Sequence, residues 1–366
     1  MQNEQETPPS RGPIGPQGTA AAPPVAETGE AVGGPTLDVV AIGHALVDVL
    51  ASAHDADLQR LGLAKGTMTL VDLERSAAIY ATMGSTIEAS GGSAANTMAG
   101  LAALGGRAAF IGRVADDPLG MAFTHDIRSV GVAFEPTPTP AVPGEAMTGH
   151  CLVLVTGDAE RTMATHLGVA SEFGPGDLHS HHLSSTHVVY LEGYLWDRPA
   201  AKAGMRQAID MAHAGDASVA LALSDPFCVQ SHRADFRQLL AGDLELLFAN
   251  EEEITLLFEA RDFDAAVEAV ADTGVLAVLT RGAAGSVVVT AGGPVAVPAE
   301  PVGQVVDTTG AGDLFAAGFL YGITNGLPPE QAARLGGVCA AEVIAHVGAR
   351  PQSDLRALAV AAGLFS

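Results

Sequence analysis

Short apolar runs separated by helical stretches make up most of the chain. The runs are rich in Val, Leu, Ala and Ile, and in most of them consecutive residues are apolar, so that both faces of a strand would be apolar. Strands of this kind, separated by helices, indicate a parallel sheet that is covered on both sides. We therefore predict a three-layer α/β/α domain whose mostly parallel central sheet contains DVVAIG at 38–43, AAFIG at 108–112, HVVYLEG at 187–193, SVALALSD at 218–225, LELLFAN at 244–250 and VLAVLTRG at 275–282.

Two segments depart from this rhythm. MTLVD at 68–72 and the longer segment at 147–166 have β-type patterns without an intervening helix, and Gly157 and Asp158 form a turn signal inside the second. They predict an antiparallel flap set on the main sheet. With their flanking residues they define a β lid made from about 48–72 and 132–168.

The first 36 residues have a different composition. They combine Pro, Gly, Ala and charged residues with no apolar periodicity. Such a segment has too little apolar surface to fold by itself, so we predict a disordered tail over 1–36 and one folded domain over 37–366.

Charge excludes two classes of partner. The 18 basic residues against 42 acidic ones give a formal charge of −24, which would repel a nucleic acid or an anionic membrane surface. A phosphorylated ligand would have to be held locally, by backbone N–H groups, a helix N-terminus, a metal ion or one placed arginine.

The cysteines and the lengths of the apolar runs indicate a reducing compartment and no membrane span. The three cysteines, Cys151, Cys228 and Cys339, are far apart and lack metal-ligand spacing. No apolar run approaches the roughly 18–20 residues of a membrane span, and the acidic, polar start differs from a secretion signal. We therefore expect a cytoplasmic protein.

The strongest chemical signal is VVDTTGAGDLFAAGFLYGI at 305–323. A strand end leads into Asp307 and a glycine turn, and a long Ala-rich helix follows. The N–H groups of Gly310, Ala311 and Gly312 would lie at the helix N-terminus, where an anion is favoured. Asp313 is either an N-terminal cap or, in the first turn of an anion cradle, a base for a hydroxyl that attacks phosphorus.

A second glycine turn, GGSAAN at 91–96, also precedes an Ala-rich helix. Alone it indicates tight packing as readily as a site. Asp48, in GHALVDVLA at 43–51, has apolar neighbours that predict partial burial. A partly buried carboxylate needs hydrogen-bond donors, and a vicinal diol supplies two.

The two glycine motifs, about two hundred residues apart, together resemble the PfkB (ribokinase-like) carbohydrate kinase family. Its C-terminal signature DTxGAGD matches 307–313, and the similarity runs from about Asp38 to Pro351. The resemblance implies an ATP-dependent kinase in which Asp313 is the catalytic base. It assigns Gly310, Ala311 and Gly312 to the anion hole.

The same resemblance assigns residues to the acceptor and the nucleotide. For the acceptor it implies Asp48, Gly91, Gly92, Ser93 and Asn96, with Arg161 in the lid reaching phosphate on closure. For the nucleotide it implies Asn250, Thr280, Arg281, Gly282 and Thr308. Asn250 and Glu253 match the family's NxxE motif, which implies that they act on Mg²⁺. Because Mg²⁺ keeps most of its water ligands, a carboxylate can hold it through water. Whether K⁺ activates the enzyme stays open.

Within the family the chain is most similar to bacterial adenosine kinases, through YLEGYLWD at 190–197 and FAAGFLYG at 315–322. Tyr194 or Trp196 could stack on a purine or belong to the core. The favoured reaction is phosphorylation of the 5′-hydroxyl of adenosine. Ribose, another sugar or another nucleoside is the alternative acceptor, and a nucleotide-binding regulator without catalysis is the alternative class. Monomer and homodimer stay open.

Overall fold

The central sheet is large and mostly parallel, as the apolar runs predicted. The computed structural model describes residues 37–137, 139–158 and 160–365, so the predicted tail over 1–36 lies outside the described residues. In sheet order the strands are β14 (Gly293–Val297), β13 (Ser286–Thr290), β12 (Leu276–Thr280), β11 (Leu246–Asn250), β10 (Ser218–Ala222), β9 (Thr186–Glu192), β1 (Leu37–Ile42), β5 (Ala108–Ile111) and β6 (Ala133–Phe134).

Neighbouring strands from β12 to β6 pair in parallel, and β13 and β14 continue the sheet in antiparallel pairing. The six apolar runs all form strands of this sheet, which confirms the predicted three-layer class. Because β1 lies between β9 and β5, the strand order reverses at β1. In open sheets of this kind, ligands bind outside the carboxyl ends of strands near such a reversal.

Helices pack on both faces of this sheet and on a second, smaller sheet, which α2 contacts. They are α1 (Asp55–Leu61), α2 (Leu73–Tyr80), α3 (Ser93–Ala103), α4 (Pro118–Ser129), α5 (Ser180–Leu183), α6 (Pro199–Ala214), α7 (Pro226–Leu240), α8 (Glu251–Phe258), α9 (Phe263–Ala271), α10 (Ala311–Thr324), α11 (Pro329–Val343) and α12 (Leu355–Ala361). None of these described helices is long and apolar enough to cross a membrane.

Alternate strand residues point into two separate cores. Val39 and Ala41 of β1 pack with α3, α10 and α11, whereas Val40 and Ile42 pack with the helices from α6 to α9. In the first layer, small residues allow helices to approach closely: a Cβ on Gly318 of α10 would lie 2.8 Å from the Cα of Gly336 in α11. The Ala- and Gly-rich composition of α10 is therefore a packing requirement.

A second, five-stranded sheet carries the segments predicted as a flap. In sheet order it contains β3 (Met68–Leu70), β8 (Arg161–His166), β7 (Gly149–Val155), β2 (Leu46–Ser52) and β4 (Ile87–Gly91). β7 and β8 form an antiparallel hairpin whose turn contains Gly157 and Asp158.

The prediction of a purely antiparallel flap was wrong. β2 pairs with β7 in parallel, and β3 pairs with β8 in parallel. β2 and β3 reach the hairpin from earlier parts of the chain, so tight turns do not fix their direction. The sheet also includes β4, at 87–91, which lies outside the predicted lid segments, whereas β6, at 133–134, lies inside them but belongs to the main sheet.

Candidate active site

A cavity of about 280 Å³ opens at the carboxyl ends of β9 to β12, against the first turn of α10. This is the edge of the sheet where loops leave parallel strands and begin helices, and where functional side chains collect in such folds. Its lining brings together six of the residues singled out in the sequence: Ser93, Asn250, Glu253, Thr280, Gly312 and Asp313.

Asp313 is fixed by two side chains from the other glycine motif. Its carboxylate oxygens accept hydrogen bonds from Ser93 Oγ at 2.6 Å and from Asn96 Nδ2 at 3.0 Å. Burial raises the pKa of Asp313, while these two hydrogen bonds and the charge of Arg350 act to lower it. An oriented, partly desolvated carboxylate at the mouth of a cavity is suited to accept a proton from a bound hydroxyl.

The backbone beside Asp313 forms an anion cradle. Gly310 caps α10 with a φ of 78°, and a Cβ there would lie 2.8 Å from Ala349 Cβ, so glycine is required on two grounds. A Cβ on Gly312 would meet nothing within 4 Å, which leaves open space over the helix end. N–H groups in the first turn of a helix have no partner within the helix and can bind an anion. The N–H of Ala311 donates to the carbonyl of Thr308 at 3.2 Å, so the anion site here depends on the other N–H groups of this turn.

Asp307 holds this loop in place. Its carboxylate accepts hydrogen bonds from the N–H of Thr309 at 3.0 Å and from the N–H of Gly348 at 2.9 Å, and it forms a buried ion pair with Arg161. The family resemblance implied that Arg161 reaches phosphate. In this structure its guanidinium is paired with Asp307, so β8 of the second sheet is tied to the loop that begins the cradle. Contact with phosphate on closure of the lid stays a prediction.

Asp48 lies against the backbone of the first glycine motif. A Cβ on Gly91 would overlap the Asp48 carboxylate, and a Cβ on Gly92, whose φ is 93°, would overlap the carbonyl oxygen of His44. Burial raises the pKa of Asp48 to about 6, against the charges of Arg350 and Arg161, which lower it. The glycines are needed here because the chain and a carboxylate share the same space.

A second hydrogen-bond acceptor, the side-chain amide oxygen of Asn96, belongs to a residue that contacts Asp313. Asn96 is 5% exposed, and its Oδ1 is buried without a hydrogen-bond partner among the described residues. A buried amide oxygen without a donor costs free energy, which a ligand hydroxyl can recover. Asp48 and Asn96 together present oxygen acceptors suited to the hydroxyls of a sugar.

Arg350 is a site residue that the sequence did not reveal. Its guanidinium is buried and donates to the carbonyl of Ser90 at 2.9 Å, to Ser90 Oγ at 2.8 Å and to the carbonyl of Ala95 at 2.9 Å. Burial lowers its pKa, while the carboxylates of Asp126, Asp48 and Asp313 raise it. It therefore places one positive charge under the two candidate site carboxylates. Only the Ala-Arg-Pro context surrounds it in the sequence, and its partners lie more than 250 positions away.

Glu192, at the end of β9, was also missed. Its buried carboxylate accepts hydrogen bonds from the N–H of Ala94 at 3.0 Å and of His44 at 3.4 Å, and a Cβ on Gly43 would overlap it. Burial raises the pKa of Glu192 to about 7. The residue fixes the start of α3, and with it Ser93. An apolar strand that ends in one acidic residue is the signal that could have identified it.

Asn250 and Glu253 satisfy each other at the start of α8. Glu253 Oε2 accepts from the Asn250 N–H at 2.9 Å and Oε1 accepts from Asn250 Nδ2 at 2.8 Å, while Asn250 Oδ1 accepts from the Glu253 N–H at 2.8 Å. Burial raises the pKa of Glu253 to about 7. The carboxylate borders the cavity and keeps unused lone pairs, so this oxygen donor set fits Mg²⁺ held through water.

The predicted nucleotide residues are only partly brought together. Thr280 lines the cavity, and Gly282 follows it in a short turn with a φ of 55°. The Arg281 guanidinium faces elsewhere: it is paired with Glu251 at 2.9 Å and lies 4.3 Å over the ring of Phe263. Only the backbone of Arg281 stays in the turn that was predicted to bind the nucleotide.

Thr308 and Trp196 lie in different environments. Thr308 is exposed, and its carbonyl accepts a hydrogen bond from the N–H of Ala311 at 3.2 Å. Trp196 is completely buried and packs edge-on against Phe236 at 5.7 Å, on the opposite face of the sheet from α10. Trp196 is therefore a core residue and does not stack on a ligand.

Known proteins similar to this chain are kinases. A solved structure of adenosine kinase from Sinorhizobium meliloti is 46% identical, with a TM-score of 0.84 over 89% of this chain and 99% of that one. A probable sugar kinase from Rhizobium etli is 41% identical, with a TM-score of 0.85 over 90% of this chain and 100% of that one. Adenosine kinase from Saccharomyces cerevisiae is 30% identical over 86% of this chain and 96% of its own length.

The fold and these relatives define a phosphotransferase that uses an alcohol group as acceptor. The pfkB family of carbohydrate kinases matches residues 66–355, and the chain belongs to that family. The resemblance identified in the sequence is thereby confirmed. Members of this class act on a sugar or nucleoside with ATP, generally together with Mg²⁺.

Proposed function

We propose that this enzyme transfers the γ-phosphoryl group of ATP to the 5′-hydroxyl of adenosine, giving AMP and ADP. The observation that carries the proposal is that Asp313 and the open end of α10 meet at one cavity, while Asn96, which has an unpartnered Oδ1 among the described residues, donates to Asp313. Asp48, a buried carboxylate against the first glycine motif, adds a further acceptor. The similarity to two adenosine kinases over nearly their whole length favours adenosine among acceptors with a diol.

The proposed chemistry begins with proton transfer to Asp313. Ser93 and Asn96 hold its carboxylate toward the cavity, where it accepts the proton of the 5′-hydroxyl as that oxygen forms its bond to the γ-phosphorus. The bond from the γ-phosphorus to the bridging oxygen breaks, and ADP leaves. N–H groups of the first turn of α10 stabilise the negative charge on the transferred group.

Acceptor binding is proposed to depend on Asp48 and Asn96. Asp48, kept ionised at neutral pH with the help of Arg350 and Arg161, accepts from the 2′- and 3′-hydroxyls. The unpaired Oδ1 of Asn96 accepts a further hydrogen bond from the sugar. Charge-assisted hydrogen bonds of this kind contribute about 1.5–3 kcal/mol each when one partner would otherwise be unpaired.

Asn250 and Glu253, which line the cavity, are proposed to hold Mg²⁺ through its water ligands. The ion supplies positive charge that neutralises the phosphate oxygens. Ionisation of Glu253, whose pKa is raised by burial, becomes easier beside that charge.

A sugar such as ribose is the second candidate acceptor. It is favoured by the similarity to the probable sugar kinase from Rhizobium etli, and Asp48 and Asn96 would serve a free sugar as well as a nucleoside. The two proposals differ only in what fills the space beyond the sugar.

The test is an acceptor panel. ADP formation from Mg·ATP would be measured with adenosine, inosine, 2′-deoxyadenosine and ribose, and the product of the best acceptor would be identified by mass spectrometry. We expect kcat/KM to be highest for adenosine, with AMP as product. A higher kcat/KM for ribose would overturn the adenosine proposal while leaving the kinase class intact. Exchanging KCl for NaCl in the same assay tests activation by K⁺.

A further inference from the structure

Three histidines and a glutamate meet at a position remote from the candidate active site. His181 and His182 lie on α5, and His179 immediately precedes it. Glu135 comes from a distant part of the chain, directly after β6. None of the four lines the cavity that contains Asp313.

The side chains converge through their donor atoms. One ligand atom each from Glu135, His181 and His182 lies within 4.8 Å of the other two, and Glu135 Oε2 is 3.9 Å from His181 Nε2. The rings of His181 and His182 are 4.0 Å apart, and the ring of His179 lies 6.0 Å from each of them.

One atom of the cluster lacks a partner. His182 Nε2 is buried and makes no hydrogen bond to any described residue. A buried ring nitrogen without a partner is costly in free energy, and it recovers that cost when it binds a cation or a donor.

We propose that Glu135, His181 and His182 form a binding site for a divalent transition-metal ion, with Zn²⁺ as the best match. Two imidazoles and one carboxylate are a donor set that Zn²⁺ accepts in tetrahedral geometry, at about 2.0–2.2 Å from each ligand atom. Ligand atoms in such a site are about 3.4 Å apart, so the three side chains would draw closer together on binding, and the exposed Glu135 and His181 side chains have room to move. His179 or water completes the coordination.

The site would join two separate parts of the chain. Glu135 leads into Pro136 and Thr137, which form one wall of a second cavity, of about 800 Å³, beside α4. α5 leads directly into β9, a central strand. A bound ion would therefore fix that wall to the main sheet and stabilise the folded state in proportion to its binding.

The site is tested by titrating Zn²⁺ into tag-free protein in the absence of nucleotide, with binding measured by calorimetry. We expect one Zn²⁺ per chain, undisplaced by excess Mg²⁺, because Mg²⁺ prefers oxygen ligands. His182→Ala and Glu135→Gln should each weaken the affinity by at least about tenfold, since loss of an outer partner of a metal ligand already costs that much. Zn²⁺ should also raise the melting temperature of the wild-type protein more than that of either variant.

His213→Ala is the matched control, because His213 is an exposed histidine that pairs with Glu245 at 3.5 Å and does not belong to the cluster of Glu135, His181 and His182. It should bind Zn²⁺ as the wild type does. Glu135→Gln is a surface change, so it keeps the test decisive if His182→Ala folds poorly. Absence of Zn²⁺ binding in the wild type, or equal affinity in wild type, Glu135→Gln and His182→Ala, would overturn the proposal. Failure of the kinase proposal would leave this result unaffected.

Discussion

Arg350→Met should shift the acidic limb of the pH profile of kcat/KM to higher pH. Arg350 lowers the pKa values of both Asp313 and Asp48, so its removal raises them, and a base must be deprotonated to accept a proton. If the separation is taken as about 10 Å and the effective dielectric constant as about 20, one unit charge contributes about 1.7 kcal/mol. That energy corresponds to slightly more than one pKa unit.

The expected result is therefore a shift of the acidic midpoint by about one pH unit. Below both midpoints the rate should fall about tenfold relative to wild type, and well above them the loss from this cause should vanish. The assay is ADP formation with saturating Mg·ATP and the best acceptor of the panel, at a series of pH values. The melting temperature of each variant should be recorded at the same pH values.

Two variants separate charge from packing. Arg350→Lys keeps the positive charge but loses the paired hydrogen bonds to Ser90, so its acidic midpoint should stay near that of the wild type. Arg107→Met removes an arginine that is paired with Asp38 outside the cavity and should leave the profile unchanged. If the midpoint in Arg350→Met equals that of the wild type, Arg350 does not set the protonation of the site.

Three further changes test individual residues. Asp313→Asn should lower kcat by about 10²–10⁴ while nucleotide binding, followed by fluorescence titration, stays near normal; retention of half the wild-type kcat would refute its role as base. Asp48→Asn should raise the unfolding free energy of the ligand-free protein at pH 8 by about 1–3 kcal/mol, because the raised pKa of about 6 makes the ionised carboxylate unfavourable in the fold. The protonated carboxyl of Asp48 is tolerated in the fold, so its stabilising contribution is fully present below its unfolded pKa and is lost as pH rises through about 6. Denaturant titrations of variant and wild type should therefore differ at pH 8 but not at acidic pH. Gly91→Ala places a Cβ in the space of the Asp48 carboxylate and should raise the acceptor KM by about tenfold to a hundredfold with little change in the KM for ATP; equal effects on both would point to general misfolding.

The parts of the fold that sequence predicts well are those with local physical causes. A central parallel strand is buried on both faces, so its composition alone identifies it, as with β1 and β9 to β12. The turn at 307–313 is equally local, since Gly310 needs a positive φ and the helix begins directly after it. The pairing directions of the second sheet are not local, because β2 and β3 reach their partners from remote segments.

The same distinction applies to the site. Asp313 and the glycines carry their own motif, and the family resemblance follows from it. Arg350 and Glu192 act through partners that are close only in the folded chain, so nothing beside them in the sequence marks them. Arg281 shows the opposite case. It lies in the segment predicted to bind the nucleotide, but its side chain is paired with Glu251 and packed on Phe263.

The contacts that assemble the candidate active site join residues from nearly opposite ends of the domain. Ser93 and Asp313 are 220 positions apart, and Arg350 reaches Ser90 across 260. Contacts of such high sequence separation form late in folding, because long loops must close first. During synthesis, the carboxylate pair at Asp48 and Asp313 therefore lacks its arginine until the chain has passed residue 350. Appearance of activity in a cell-free translation would mark completion of the whole domain, and no shorter N-terminal fragment should show it.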